Sequence, residues 1–382
     1  MATWGSSNKT YTPEAKSSVN VMQYGAAGNG KTDDSQAFLK AWHAVCGAGS
    51  NSPILTIPAG KTFLLKPVSF KGPCKSAHVN IQVLGNIVAP SQKSAWNNNN
   101  SKTWIVFSDV KGLIVNGNGQ IDGQGSVWWK SCKVLALSFQ NCNNLVLQGL
   151  KHTDSQKNHI SISNCHDVTV SGLQITAPEK SPNTDGIDIS HSTNVRIQDC
   201  VIGTGDDCIA INDGCSYINI SSVNCGPGHG ISIGSLGQHG ARNAVEEVHI
   251  KNCTFKGTEN GARIKTWQGG SGYARRITFE KIILIAANNP IIIDQFYCDH
   301  GHCSNQTSAV EVSDVSYTNF QGTSSSEQAI KFKCSKSIGC TNIALNAINI
   351  TSADPKKKTT SYCINAHGRS SGSVPNVDCL SQ

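Results

Sequence analysis

Residues that favour long helices or carry charge are scarce in this chain. Its 382 residues include 2 Met, 6% aromatic and 15% charged side chains, against 36 Gly. That profile belongs to strands and turns rather than helices. No run of eighteen apolar residues occurs, which excludes a membrane-spanning helix. The opening MATWGSSNKT has neither the basic nor the apolar part of a signal peptide. No linker divides the sequence, and single repetitive β architectures reach this length, so one domain is expected over 1–382.

What is abundant points outward from the cell. Sixteen cysteines and six N-x-S/T sequons, at Asn8, Asn99, Asn219, Asn252, Asn305 and Asn349, suit a secreted glycoprotein. The expectation is therefore that a leader has been removed and that Met1 is not part of the mature chain. The net charge of +7 is compatible with an anionic partner. A solvated basic surface explains the charge equally well.

Residues 19–24 read as a strand and Asp33–Cys46 as an amphipathic helix. Between them, Gly25–Thr32 reads GAAGNGKT, the G-x-x-x-x-G-K-T pattern of a phosphate-binding loop. The rest of the chain lacks the alternating strands and helices that such a loop requires. A Gly-rich turn is the better reading, with Thr32 or Asp33 capping a helix that covers one end of the fold.

From Ile54 onward two series of short segments recur. One runs ALSF at 136, HISI at 159, GIDI at 186, CIAI at 208, GISI at 230, GARI at 261, PIII at 290 and AIKF at 329. The other starts with LVLQGL at 145 and VTVSGL at 168 and ends with IALNAI at 343. Members lie 22 to 39 residues apart. This period, with two or more strands per turn and no helical pattern between, predicts an all-β parallel β-helix. The expected layout is strand and capping helix over 19–50, coils over 54–350 and a tail over 351–382.

Register then places the chemistry. Asp185, Asp207 and His229 lie 22 residues apart at the start of three consecutive first-series strands, so they should stack as a column. Asp206 adds a third carboxylate. On the next coil Ile264 points inward, which turns Arg263 and Lys265 outward together. Carboxylates crowded in this way split their proton affinities, and a proton donor beside an acceptor is what glycoside hydrolysis needs. A single Asp at a strand start closes a turn equally well. The column is harder to explain that way, and the adjacent cations weigh against a calcium site.

These motifs carry a family resemblance. NTD at 183, G-DD at 205, G-HG at 228 and R-I-K at 263, with YGAAGNGKTDD, IDGQGSVWW and NPIIIDQFYC, resemble the polygalacturonases of glycoside hydrolase family 28, most closely the exo-acting type of plant pollen. The resemblance implies a right-handed parallel β-helix and inverting hydrolysis of α-1,4-linked galacturonate without cofactor or metal. It implies Asp206 as general acid, Asp185 and Asp207 as bases, and His229 as the residue holding the acid's protonation state. Arg263, Lys265 and Tyr297 would bind substrate. Inversion further implies carboxyl groups roughly 6.5–9.5 Å apart, here between Asp206 and the nearer of its basic partners. Asp188 departs from the His that plant members often carry, which adds negative charge beside the site.

Cys208 with Cys225 resembles a family disulfide. Cys334 with Cys340 and Cys363 with Cys379 would pin the last coil and the tail, and Cys46 with Cys74 and Cys298 with Cys303 are further expected pairs. CDHGHC at 298 also offers zinc ligands, though a local disulfide suits a secreted chain better. The expected partner is an anionic polysaccharide, pectin or polygalacturonate, met by a secreted monomer in the cell wall, with neither nucleic acid nor membrane as partner. A non-catalytic pectin-binding β-helix, a calcium-dependent lyase and a nucleotide hydrolase are the competing readings.

Overall fold

The computed structural model describes residues 18–96, 102–130, 134–299, 303 and 305–380. The chain winds into a parallel β-helix. Every strand of the first series joins one sheet, running from Val68–Lys71 through Ile187–Ser190, Ile209–Ile211, Ile231–Leu236 and Asn260–Thr266 to Thr360–Ile364. We call this the cleft sheet. All its pairings are parallel and one coil apart.

The register explains the sequence alternation. Ile187, Ile209 and Ile231 stack in one inward row, and Ile189, Ile211 and Ile233 in another. All six are fully buried. Each coil leaves half of its apolar surface exposed until the next coil covers it, so burial is cooperative along the axis. Aromatic side chains follow the same rule: Phe70, Phe107 and Phe139 stack with ring centroids 4.8 and 5.5 Å apart.

The second series forms another parallel stack, and a third set of short strands, such as Gln174–Thr176, Val201–Gly203 and Asn224–Cys225, completes a three-strand coil. Sharp bends at the starts of second-series strands use the left-handed region. Asn144, Asp167 and Asn194 occupy equivalent bends at φ 57°, 57° and 54°. Asn and Asp tolerate that conformation better than other side chains bearing a Cβ.

The helix α1 (Ser35–Gly47) lays Phe38 and Trp42 against Phe63, Phe70 and Phe107 at one end of the solenoid. Asp34 holds the N-cap position without a capping side-chain bond, and Asp33 Oδ1 accepts from the N–H of Ser35, the first helical residue, at 3.1 Å. The first expected strand stops at Asn20, a single 3-10 turn over Val21–Tyr24 replaces the rest of it, and a separate strand, Asn29–Asp33, leads into the helix. The Gly25–Thr32 loop binds its own carboxylate: Asp34 accepts from the backbone N–H of Ala27 at 2.6 Å and of Gly28 at 3.1 Å. Those donors are the ones a phosphate would need.

The segment expected as a tail adds a further coil. Thr360–Ile364 and Ala366–Val374 continue the two stacks in parallel. All five expected disulfides are present. The Cys298–Cys303 bond removes both thiols of the zinc reading, whose two imidazoles lie outside the described residues. The remaining described cysteines, Cys142, Cys165, Cys200, Cys215 and Cys253, are buried thiols that pack as small hydrophobes. The even cysteine count therefore overstated the disulfide framework. Sequons Asn219, Asn252, Asn305 and Asn349 are exposed, while Asn8 and Asn99 fall outside the described residues.

Candidate active site

The outward face of the cleft sheet forms an open groove of about 590 Å³ lined by Asp185, Asp188, Asp206, Asp207, His229, Arg263, Lys265 and Tyr297, among others. Every site residue expected from the sequence thus meets in one cleft. Backbone register places Asp185, Asp207 and His229 in one axial column, one residue earlier relative to their strands than the sequence pattern placed them.

Asp207 is the fixed centre. It is fully buried, and one oxygen accepts from Ser232 Oγ at 2.8 Å and from the Arg263 guanidinium. Its other oxygen accepts from Lys265 Nζ at 2.9 Å. Ser232 is itself held by Arg263 Nε at 2.7 Å. Arg263 and Lys265 are each only 8% exposed, so both cations are turned onto this carboxylate rather than spread over solvent. Burial alone would weaken the hold of Arg263 on its proton, but Asp207 more than reverses this. A buried carboxylate needs such pairing to stay ionised.

Asp206 lies at the cleft surface. Its Oδ1 accepts from the Asp207 N–H at 2.8 Å and faces His229 Nδ1 at 3.0 Å, while Oδ2 accepts from Asn183 Nδ2 at 3.3 Å. Burial pushes the Asp206 carboxyl up, but the His229 hydrogen bond and charge, with Lys265, outweigh it and bring it to about 2. His229 moves the opposite way: burial lowers it, and Asp206, Glu259 and Asp207 together raise it. The two side chains face each other across one 3.0 Å contact, and their opposed shifts favour the proton on the imidazole side.

Asp185 and Asp188 carry the opposite perturbation. Burial, then the charges of Asp188, Asp206 and Asp207, raise Asp185 well above the carboxylate range. Burial and then Asp207 push Asp188 up to about 7. Asn158 Nδ2 donates to one Asp188 oxygen, and the other is buried with no hydrogen-bond partner, which suits a carboxyl that keeps its proton. Two of the four acids are neutralised by cations, and the other two compete for ionisation.

Chemically, the cleft therefore presents a carboxyl–imidazole dyad in hydrogen-bond contact, a carboxyl pair of raised proton affinity and two oriented cations. One Asp206 oxygen lies within 4.8 Å of one Asp207 oxygen. The wider separation expected between Asp206 and the nearer of its partners is not found with Asp207, because ion pairs fix that carboxylate beside the dyad. The same atoms with His229 could ligate a metal by type and distance. Here the Arg263 and Lys265 ammonium and guanidinium groups already occupy both Asp207 oxygens.

Tyr297 stands beside these cations. Lys265 Nζ sits 5.1 Å from its ring centroid, and Trp267 packs edge-on against it at 5.4 Å. Glu259 and Ser232 were not legible in the sequence. Glu259 Oε2 lies 3.1 Å from His229 Nε2, so the imidazole is bracketed by carboxylates. Glu259 lies before its strand, and backbone bonds to the coils on either side set it beside His229: its N–H donates to Gly228 O at 2.8 Å and its carbonyl accepts from the Asn289 N–H at 2.9 Å.

With this geometry in view, known proteins supply the family. The model of glycosyl hydrolases family 28 matches residues 46–376. The chain belongs to that family. A probable polygalacturonase of Arabidopsis thaliana is 54% identical over 96% of this chain and 81% of its own. Polygalacturonases of Persea americana and Cryptomeria japonica are 45% and 43% identical over 91% and 93% of this chain, and 76% and 71% of theirs. Among solved structures, an endo-xylogalacturonan hydrolase of Aspergillus tubingensis superposes with TM-score 0.82 at 23% identity, covering 96% of this chain and 100% of that one. An exopolygalacturonase of Thermotoga maritima gives 0.71 at 19% identity over 87% and 88%. These structures share the right-handed β-helix and differ in mode of attack. Family membership removes the nucleotide-hydrolase reading.

Proposed function

We propose that this family 28 protein hydrolyses the α-1,4 bonds of polygalacturonate in plant cell-wall pectin, exo-wise and with inversion, as a secreted monomer. One observation carries the reading: Asp206 and His229, 3.0 Å apart, stand beside a carboxylate locked between Arg263 and Lys265. Asp206 presents Oδ2 to the cleft and delivers the proton to the leaving oxygen. His229 is the store from which that proton is drawn. Asp185 takes the proton from the attacking water, because its raised proton affinity makes it a stronger base once ionised. Asp207 contributes by orienting the two cations that receive a galacturonate carboxylate, with Tyr297 beside them.

The identities with plant polygalacturonases support the substrate, and the resemblance of the sequence motifs to the pollen exo-acting type supports the exo mode. A non-catalytic binder would have no use for a shared proton between Asp206 and His229. Incubation with polygalacturonic acid, resolving products by size and anomer, tests the proposal. Monomer from the first time point, as the β anomer, is expected, with both Asp206→Asn and Asp185→Asn inactive. Activity retained in Asp206→Asn overturns the acid assignment; products that absorb in the ultraviolet indicate a lyase instead.

A further inference from the structure

The cleft sheet continues past the site. In the row carrying Arg263, the next two coils place Ile292 and then Lys331; in the row of Lys265 they place Asp294 and then Lys333. The residues alternating with them, Ile291, Ile293, Ile330 and Phe332, are fully buried, so both lysines face outward with Arg263 and Lys265. Two strand spacings, roughly 10 Å, separate each lysine from its counterpart along the axis.

Lys331 is turned back toward the reacting centre. Its Nζ donates to Asn289 Oδ1 at 2.7 Å, and Asn289 Nδ2 donates to Asn260 Oδ1 at 3.1 Å. Asn260 and Asn289 extend the axial column of Asp207 and His229 by two coils. Both lysines are half-buried. Burial first, and then the Lys333 charge, lower the proton affinity of Lys331, and Asp294 only partly offsets them. Asp294 is the only carboxylate at these four positions, and its Oδ1 already accepts from the Phe296 N–H at 3.1 Å. Two half-buried cations beside a single carboxylate are arranged for an anion from outside the chain.

We propose that Lys331 and Lys333 form a further carboxylate-binding subsite, which takes a galacturonate about two residues along the polymer from the one held by Arg263 and Lys265. The rise of an extended polysaccharide per sugar is close to one strand spacing, so cations repeating on alternate coils meet carboxylates on alternate sugars. This subsite rests on the reading of the cleft as a polygalacturonate hydrolase.

The test is kcat/KM for oligogalacturonates of increasing length, from the dimer upward, in Lys331→Gln and Lys333→Gln. The expected loss is in KM, grows with chain length and reaches roughly tenfold per lysine for chains that span the subsite. Lys333→Gln leaves the Asn289 bond in place, so it reports even where Lys331→Gln fails to fold. A loss of equal size at every length, or none at any length, overturns the subsite. A wild-type protein that cleaves none of these substrates overturns the functional reading instead.

Discussion

Replacing Glu259 by Gln tests the proton store directly, because the amide keeps the shape and removes the charge. Glu259 Oε2 lies 3.1 Å from His229 Nε2, with Asp206 Oδ1 3.0 Å from the opposite nitrogen. Both carboxylates raise the proton affinity of the imidazole, and only Asp206 is proposed to take part in the reaction. The Glu259 side chain is 54% exposed and that of His229 32%, so water screens their attraction heavily. Exposed pairs of this kind contribute about 0.2–1 kcal/mol. The charge of Glu259 is thus a minor contributor beside Asp206 to the raised proton affinity of His229. His229 is raised in the folded protein, so its proton is present at low pH and lost as pH rises through its folded value. The alkaline limb of kcat/KM on polygalacturonate should therefore move to lower pH in Glu259→Gln. High salt should shrink the difference between the two proteins. A limb that stays in place, or that moves to higher pH, refutes the idea that Glu259 helps to charge His229.

The cluster on the other side of the cleft predicts a shift at the acid limb. Asp188 raises the proton affinity of Asp185, so Asp188→Asn should carry the acid limb of the same profile to lower pH. Burial holds His152 at about 3 and His159 well below its ordinary value, with Nδ1 facing Nδ1 at 3.0 Å. Their depressed folded values mean stability that is complete above about pH 6.5 and drains away below it, by about 1.4 kcal/mol per pH unit for each ring. Denaturant midpoints at pH 7 and pH 5 should diverge in the wild type and converge in His152→Leu/His159→Leu. Arg263→Gln leaves Asp207 with a single cation and should destabilise by about 3 kcal/mol. In a double-mutant cycle read by denaturant unfolding, Asp207→Asn added to it should recover part of that loss, and strict additivity would speak against the clamp.

The fold was legible because one alternation repeats. Ile187, Ile189, Ile209 and Ile211 announce both the inward face and the coil length, and parallel stacking then leaves one register. The same arithmetic carried Asp207, His229, Arg263 and Lys265 onto one face. It did not reveal Ser232 as a ligand of Asp207, since an outward Ser on a strand has no distinguishing mark and its partner is 25 residues away. Glu259 sits in the turn before its strand, where register is not defined by alternation. The continuation over Ala366–Val374 was missed because HGRSSGSV has almost no apolar residue on either face. Pairing with Cys340–Ser352 holds it in strand conformation instead.

Both ends of the solenoid are stapled. Cys46–Cys74 ties α1 to the end that Phe38 and Trp42 cover, while Cys334–Cys340 and Cys363–Cys379 pin the other. Each coil of such a stack contacts only its neighbours, so the end coils have support from one side alone. Order lost at the far end reaches Lys331 and Lys333 before Arg263 and Lys265, and those before Asp185. The outer coils of the cleft sheet thus depend on the two bonds that close the chain's far end.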